Sequence, residues 1–208
     1  EDAQKILAAV SDVVHVKTIG QALTQKTLAP LSRLEVVEVE TAGFGRSMAL
    51  DLALFAQNTK LRVLCCDDVR LPTERLQLPA LESFLMTRSC AGKWANLALP
   101  RLRFLSTFLC VVELSTLCVV APNLETLHVR NPWTNCTSLL TSLAASTEHG
   151  EFALPRLRAV IYDQGFALNA SAESVVELGR ARPDIIVGPC AGVRVGRLSN
   201  LLVPLGDR

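Results

Sequence analysis

The sequence predicts an α/β protein: a curved, horseshoe-like solenoid with a parallel β-sheet on its concave face and helices and loops on its convex side. Three observations predict it. The first is a phrase that recurs as Pro79-Ala-Leu-Glu-Ser-Phe-Leu-Met86, Pro100-Arg-Leu-Arg-Phe-Leu-Ser-Thr107 and Pro122-Asn-Leu-Glu-Thr-Leu-His-Val129. The second is its spacing: the anchoring leucines Leu81, Leu102 and Leu124 lie 21 and 22 residues apart. Self-similarity at a fixed period in this range marks stacked supersecondary units. The third is the charge at the second position of each copy. It runs Glu35, Arg62, Glu82, Arg103, Glu125, Arg158 and alternates in sign without exception. Parallel strands in register would set these residues side by side, about 4.8 Å apart, with opposite charges neighbouring throughout.

The elements follow in chain order. Ala3, Ile6, Leu7 and Val10 have the spacing of an amphipathic helix, so residues 1–12 are read as an N-terminal helix or cap. Val13-Val-His-Val16 is a worn first strand. Leu34-Glu-Val-Val37-Glu-Val39 fits the phrase, and Gly43-Phe-Gly45 turns the chain into a helix over Ser47 to Ala56, with Met48, Leu52 and Phe55 on one face. Leu61-Arg-Val-Leu64-Cys-Cys66 is the next copy, and Leu157-Arg-Ala-Val160-Ile-Tyr162 the sixth. Between Leu124 and Leu157 the chain has room for an insertion around Asn131 to Asn135 and a helix near Ser138 to Ala145. Ser171 is placed to cap a helix through Val175, Val176 and Leu178. Pro183-Asp-Ile185-Ile-Val187 is a seventh copy, and residues 188–208 form a C-terminal cap or tail. The whole of 1–208 is one domain, with repeats over about 13–187, and it is read as part of a larger chain.

Burying the first, fourth and sixth residues of each copy gives a unit with one apolar face, which cannot fold alone. Stacking the units makes a parallel sheet with a continuous core behind it. Proline before each strand cannot continue a helix and biases its predecessor to extended backbone.

Composition removes several function classes. Half of the residues are hydrophobic, too many for a disordered chain. A net charge of +1 supplies no field to recruit nucleic acid, and none is expected as a partner. No apolar run reaches the ~20 residues of a membrane span; the longest, Phe104 to Val120, is broken by Ser106, Thr107, Glu113, Ser115 and Thr116. Seven cysteines in no framework spacing, most of them inside apolar runs, suit reduced thiols and hence an intracellular, cytoplasmic setting. Two triplets, Asn135-Cys-Thr137 and Asn169-Ala-Ser171, point the other way, but such triplets recur by chance.

On these residues the chain resembles the irregular leucine-rich-repeat domains, from Val13 to Val187. Where that family usually has an Asn or Cys, only Cys110 fits; the other copies depart from it with Ala42, Val69, Ser89, Pro132 and Gly165. The resemblance implies a non-catalytic module that binds a protein partner through its concave face, in a scaffold, substrate-receptor or assembly role. The alternative is a permanent structural subunit or internal domain of a larger complex with no exchanging ligand, its surface covered by a flanking domain or a fixed partner.

The third, fifth and seventh positions of each copy should face solvent on the concave side. They and their neighbours supply the candidate contact residues Glu38, Glu40, Asp67 and Asp68 at an acidic end, Leu85, Arg88, Phe104 and Phe108 in an apolar middle, and His128, Arg130 and Asp163 at a mixed end. Contiguous apolar surface with Arg and aromatic anchors is what interaction sites use. No catalytic site is expected, because no nucleophile, base and oxyanion donors cluster. No cofactor or metal is expected either: Cys65-Cys66 is not a Cys-x-x-Cys pair, and Gly43-Phe-Gly45 lacks a following Gly-Lys-Ser/Thr.

Overall fold

A computed structural model describes residues 14–19, 28, 31–40, 49–88, 90–107, 113–130, 136–146, 150–162 and 170–189. Among them are thirteen strands. In chain order these are β1 (His15–Ile19), β2 (Val36–Glu40), β3 (Leu50–Asp51), β4 (Val63–Cys66), β5 (Val69–Arg70), β6 (Leu76–Gln77) and β7 (Ser83–Met86). Then come β8 (Cys90–Ala91), β9 (Leu97–Ala98), β10 (Phe104–Thr107), β11 (Thr126–Val129), β12 (Ala159–Tyr162) and β13 (Ile186–Pro189). The fold is α/β with a main sheet of eight parallel strands, ordered β1-β2-β4-β7-β10-β11-β12-β13. Each copy of the phrase therefore lies beside the copy that precedes it in the chain. The worn first copy belongs to this sheet, with His15 opposite Val36, and the seventh extends it, with Ala159 opposite Ile186.

The period-2 reading of the phrase holds on the back of the sheet. Leu34, Leu61, Leu81, Leu102, Leu124 and Leu157 are all buried, as are the fourth-position residues Val37, Leu64, Phe84, Leu105, Leu127 and Val160. They join one core with residues of the connecting segments, among them Leu52, Phe55, Trp94, Leu117, Leu140 and Leu178. Trp94, in a connector as the sequence suggests, packs its ring 6.1 Å from that of Phe84.

The prolines have a sharper role than stopping helices. Before each strand one turn recurs, closed by Leu34 N–H to Leu31 O, Leu61 to Asn58, Leu81 to Leu78, Leu102 to Leu99, Leu124 to Ala121, Leu157 to Leu154 and Ile185 to Arg182. Pro79, Pro100, Pro122, Pro155 and Pro183 each occupy the second residue of this four-residue turn. The fixed φ of proline suits that position.

The connectors differ in what crosses the back. From β2 to β10 they do so as two-residue strands, forming the sheets β3-β5-β8 and β6-β9. Gly92 lets two of them approach: at its φ of +118° a Cβ would lie 2.9 Å from Leu71 Cβ. Beyond β10 the connectors carry α-helices, Leu114–Val120, Thr137–Ala144 and Ala172–Ala181. A helix rises about 1.5 Å per residue against about 3.3 Å for a strand, so the longer connectors between β11 and β13 fit behind the sheet without widening the stack. Ser171 caps the last helix, accepting from Ser174 N–H at 3.2 Å as predicted. The helix predicted over Ser47 to Ala56 is corrected: Leu50–Asp51 is a strand beside β5, and only Leu52–Phe55 turns, as a 3-10 helix capped by the Asp51 carboxylate. The N-terminal helix, the Gly43-Phe-Gly45 turn, the Asn131 to Asn135 insertion, both Asn triplets at their Asn, and the tail beyond residue 189 lie outside the described residues.

The alternation brings opposite charges together as two bidentate pairs on adjacent strands, while Arg158 joins no ion pair among the described residues. Arg62 donates two bonds to Glu82, at 3.2 and 3.0 Å, and Arg103 two to Glu125, both 2.9 Å. Arg62 also lies 3.8 Å from Glu35. These bonds hold both guanidinium groups above their ordinary pKa, through the carboxylate hydrogen bond first and its charge second. Beneath them Glu35, Arg62, Glu82, Arg103 and Glu125 each accept from two successive N–H groups of the next strand. Because the arginines are about half exposed and the glutamates about a third, each pair contributes only about 0–1 kcal/mol. Arg103→Glu would put like charges beside Glu82 and Glu125, with an expected loss of about 1–2 kcal/mol. Urea denaturation at low salt should show it, and ~1 M salt should shrink it.

Candidate functional site

The front of the main sheet has three rows of side chains. The middle row is continuous across all eight strands: Lys17, Glu38, Cys65, Leu85, Ser106, His128, Ile161 and Gly188 stand opposite one another in succession. The third-position row contains Val36, Val63, Ser83, Phe104, Thr126 and Ala159, also in register.

The middle row is not the solvent-facing surface expected. Glu38, Leu85 and His128 are only 7, 2 and 2 % exposed, and Ser106 is buried beside them. Each is flanked by neighbours one strand spacing away on both sides, so a short side chain such as Ser106 is walled in. Leu85 and His128 are therefore corrected from contact residues to packed ones, and Glu38 to a buried ion-pair member. Phe104 is half-buried, its ring 6.5 Å from that of His128. Glu40 and Arg88 are exposed, and Asp67, Asp68 and Arg130 are half-buried. Phe108 and Asp163 lie outside the described residues.

The acidic end is not a free acidic rim. Lys17 of β1 reaches Glu38 at 3.2 Å and Glu40 at 2.8 Å, and His15 lies 3.3 Å from Glu38. These partners hold the Lys17 ammonium above its ordinary pKa, the Glu40 bond being the larger cause. Reading the sequence missed both partners, because the first copy is too worn to align by its leucines. Asp67 accepts from the Thr87 hydroxyl of the adjacent strand.

Two arrangements have chemical content. Ser106 Oγ and His128 Nδ1 share a 3.2 Å hydrogen bond between neighbouring strands. That is the contact of a nucleophile with a base, but both residues are buried, so it satisfies two polar side chains inside a packed row. Cys65, beside Glu38, has its thiol pushed up to about 12, by burial first and then by the charges of Glu38 and Asp67. It is protonated at neutral pH, so it is neither a good nucleophile nor a ready metal ligand. The sign follows from linkage. The unfolded thiol ionises above its ordinary value of 9.0 while the folded one stays protonated to about 12. Its contribution to stability is present below pH 9 and is lost as pH rises through that window. Alkylation of native Cys65 at pH 8 should be markedly slower than in the urea-unfolded chain; equal rates would contradict this. Among the described residues no group of three or more His, Cys, Asp or Glu could hold a metal ion, and no helix is long and apolar enough to cross a membrane.

The asparagine ladder usual in the resembling family has a substitute at other positions. Asn58 Nδ2 donates to Leu31 O at 3.2 Å, Asn96 Nδ2 to Pro72 O at 2.8 Å and Asn123 Nδ2 to Pro100 O at 2.7 Å. Each ties one unit to the unit before it. Arg182 does the same with a charge. It is buried where four other copies carry Leu and the remaining two carry Asn58 and Ala121, and it donates to the carbonyls of Ala153, Leu154 and Leu157 at 2.9, 3.2 and 3.1 Å. Its guanidinium also lies 5.2 Å from the Phe152 ring centroid. No protein-family model, curated protein or solved structure matches this chain.

Proposed function

We propose that the chain is a leucine-rich-repeat solenoid serving as a non-catalytic protein-binding module, with its partner seated on the front face of the main sheet. The carrying observation is the in-register stack of eight parallel strands, whose front polar groups are already paired in the free protein. Such a surface is preorganised, so little side-chain entropy is lost when a partner docks. The buried members of the middle row, Glu38, Leu85, Ser106 and His128, support the contact surface without being part of it. Contact falls to the flanking residues: Glu40, Asp67, Asp68 and Arg88 on one side, and Phe104 and Thr126 toward the other. The non-catalytic reading rests on the burial of Ser106 and His128 and on the protonated Cys65 thiol.

The test is affinity capture from the native source with wild type beside a Glu40→Lys, Arg88→Glu variant of unchanged melting temperature. Loss of one defined partner with the variant is the expected result. Partners unaffected by the double reversal would remove the front face from consideration and favour the permanent-subunit reading.

A further inference from the structure

The rim where the chain turns into each strand has features that the front-face reading does not use. Its outermost row is the third residue of the recurring turn: Arg33, Lys60, Ala80, Arg101, Asn123, Arg156 and Asp184. Lys60, Arg101 and Arg156 are exposed on alternate units, which places them about 10 Å apart along the rim. None of the three makes an ion pair or side-chain hydrogen bond among the described residues, and neither does Arg158 just inside the rim. The carboxylates flanking Arg101 are committed, since Glu82 holds Arg62 and Glu125 holds Arg103; Asp184 ends the row one unit beyond Arg156.

At the middle of this row is a groove of about 180 Å³, lined by Gln77, Pro79, Leu99, Pro100, Val119 and Val120. It crosses three successive units and lies against the turn that carries Arg101. Val119 at its edge is 82 % exposed, the largest exposure among the big apolar side chains of the described residues. Proline rings give the groove rigid walls, and the Gln77 amide is exposed beside it.

We infer that this rim is a second docking surface, for an acidic peptide segment of a protein partner that inserts one apolar side chain into the groove. An apolar anchor in a small preformed pocket supplies affinity. Carboxylates on either side of it meet Lys60, Arg101 and Arg156, which supply on-rate and register. A peptide suits the rim better than a nucleic acid. The groove is apolar, and Glu82 and Glu125 stand directly inside the cationic row, where a continuous phosphate backbone would meet them.

The experiment is selection of a random ten-residue phage-displayed peptide library on the immobilised full chain. The enriched peptides are then measured by fluorescence anisotropy. The expected peptides are acidic, with one Leu, Ile, Met or Phe near the centre. Their affinity should fall at least about tenfold with Arg101→Glu, Arg156→Glu, through on-rate at low salt, and with Val119→Asp. It should be unchanged with Glu40→Lys, Arg88→Glu, which separates this surface from the front face. If the charge reversal impairs folding, Arg101→Gln with Arg156→Gln gives the same comparison. Enriched peptides that are neutral or basic, binding retained by the groove and rim variants, or a ten-nucleotide deoxythymidine strand binding as tightly as the best peptide would each overturn the inference.

Discussion

Phe84→Ala is expected to destabilise the fold by about 3–5 kcal/mol, the largest single effect anticipated for a core substitution here. Phe84 is fully buried at the fourth position of β7. It stands between Leu64 and Leu105 of the adjacent strands and packs on Trp94 of the following connector. Removing the ring opens a cavity shared by three units, and the flanking strands cannot close it without losing their ladder bonds. Phe104, in the next copy, gives the control. It sits at the third position on the front and is half-buried, so Phe104→Ala should cost only ~1 kcal/mol. Urea denaturation of both variants gives the comparison. Equal losses would mean that front and back are wrongly assigned.

Arg182→Ala should lose roughly 2–4 kcal/mol, and the loss should be local. The carbonyls of Ala153, Leu154 and Leu157 each lose a charged donor at once, with Leu154 O keeping the Leu157 N–H of its turn, and buried acceptors that lose a partner are costly. Burial lowers the pKa of this guanidinium, with Asp184 as the opposing charge, but the group stays charged at any ordinary pH. Arg182→Lys should recover part of the loss, since an ammonium offers donors without the planar fork. In a stack where each unit touches its neighbours, damage at one end spreads weakly. Hydrogen exchange should therefore speed up in Ala172–Ala181 and β13 and stay slow in β7 and β10. Uniform acceleration along the chain would argue for a single cooperative unit instead.

Much of this was legible in the sequence, for identifiable reasons. Burial at Leu81, Phe84 and Met86, and at their equivalents in the copies anchored at Leu34 to Leu157 except the half-buried Tyr162, follows from a strand period of two with one wall of the sheet in the core. The charge alternation fixed the strand register, because only side-by-side copies bring Arg62 to Glu82 and Arg103 to Glu125. The connectors were less legible. Leu114–Val120 reads Leu-Ser-Thr-Leu-Cys-Val-Val, rich in residues that favour strands, yet it is a helix. The core that receives Leu117 and Val120 overrides local preference there. Ser47 to Ala56 fails in the opposite direction. Its helical spacing is real, but Leu50–Asp51 is claimed by β5 as a parallel strand.

The front face shows a different limit. Alternation says which side of the sheet a residue occupies, not how deeply its neighbours enclose it. Leu85, Ser106 and His128 are on the expected side and are buried all the same. Lys17 could not be matched to Glu38 and Glu40 because its copy lacks the leucine frame that aligns the others. Arg182 occupies a core position that every pattern argument would reserve for an apolar residue, and only its three carbonyl partners explain it.

The central claim is that successive copies stack as parallel strands in one register, presenting preformed rows to a partner. A double-mutant cycle on Arg103 and Glu125 tests it most directly. Arg103→Glu and Glu125→Arg each break the bidentate pair, and the exchange of both residues restores opposite charges at the same two positions. The register predicts that the exchanged protein is more stable at low salt than the sum of the two single losses allows, by about 0.5–1 kcal/mol. Strict additivity of the two losses would contradict it, and with it the side-by-side placement on which both docking surfaces rest.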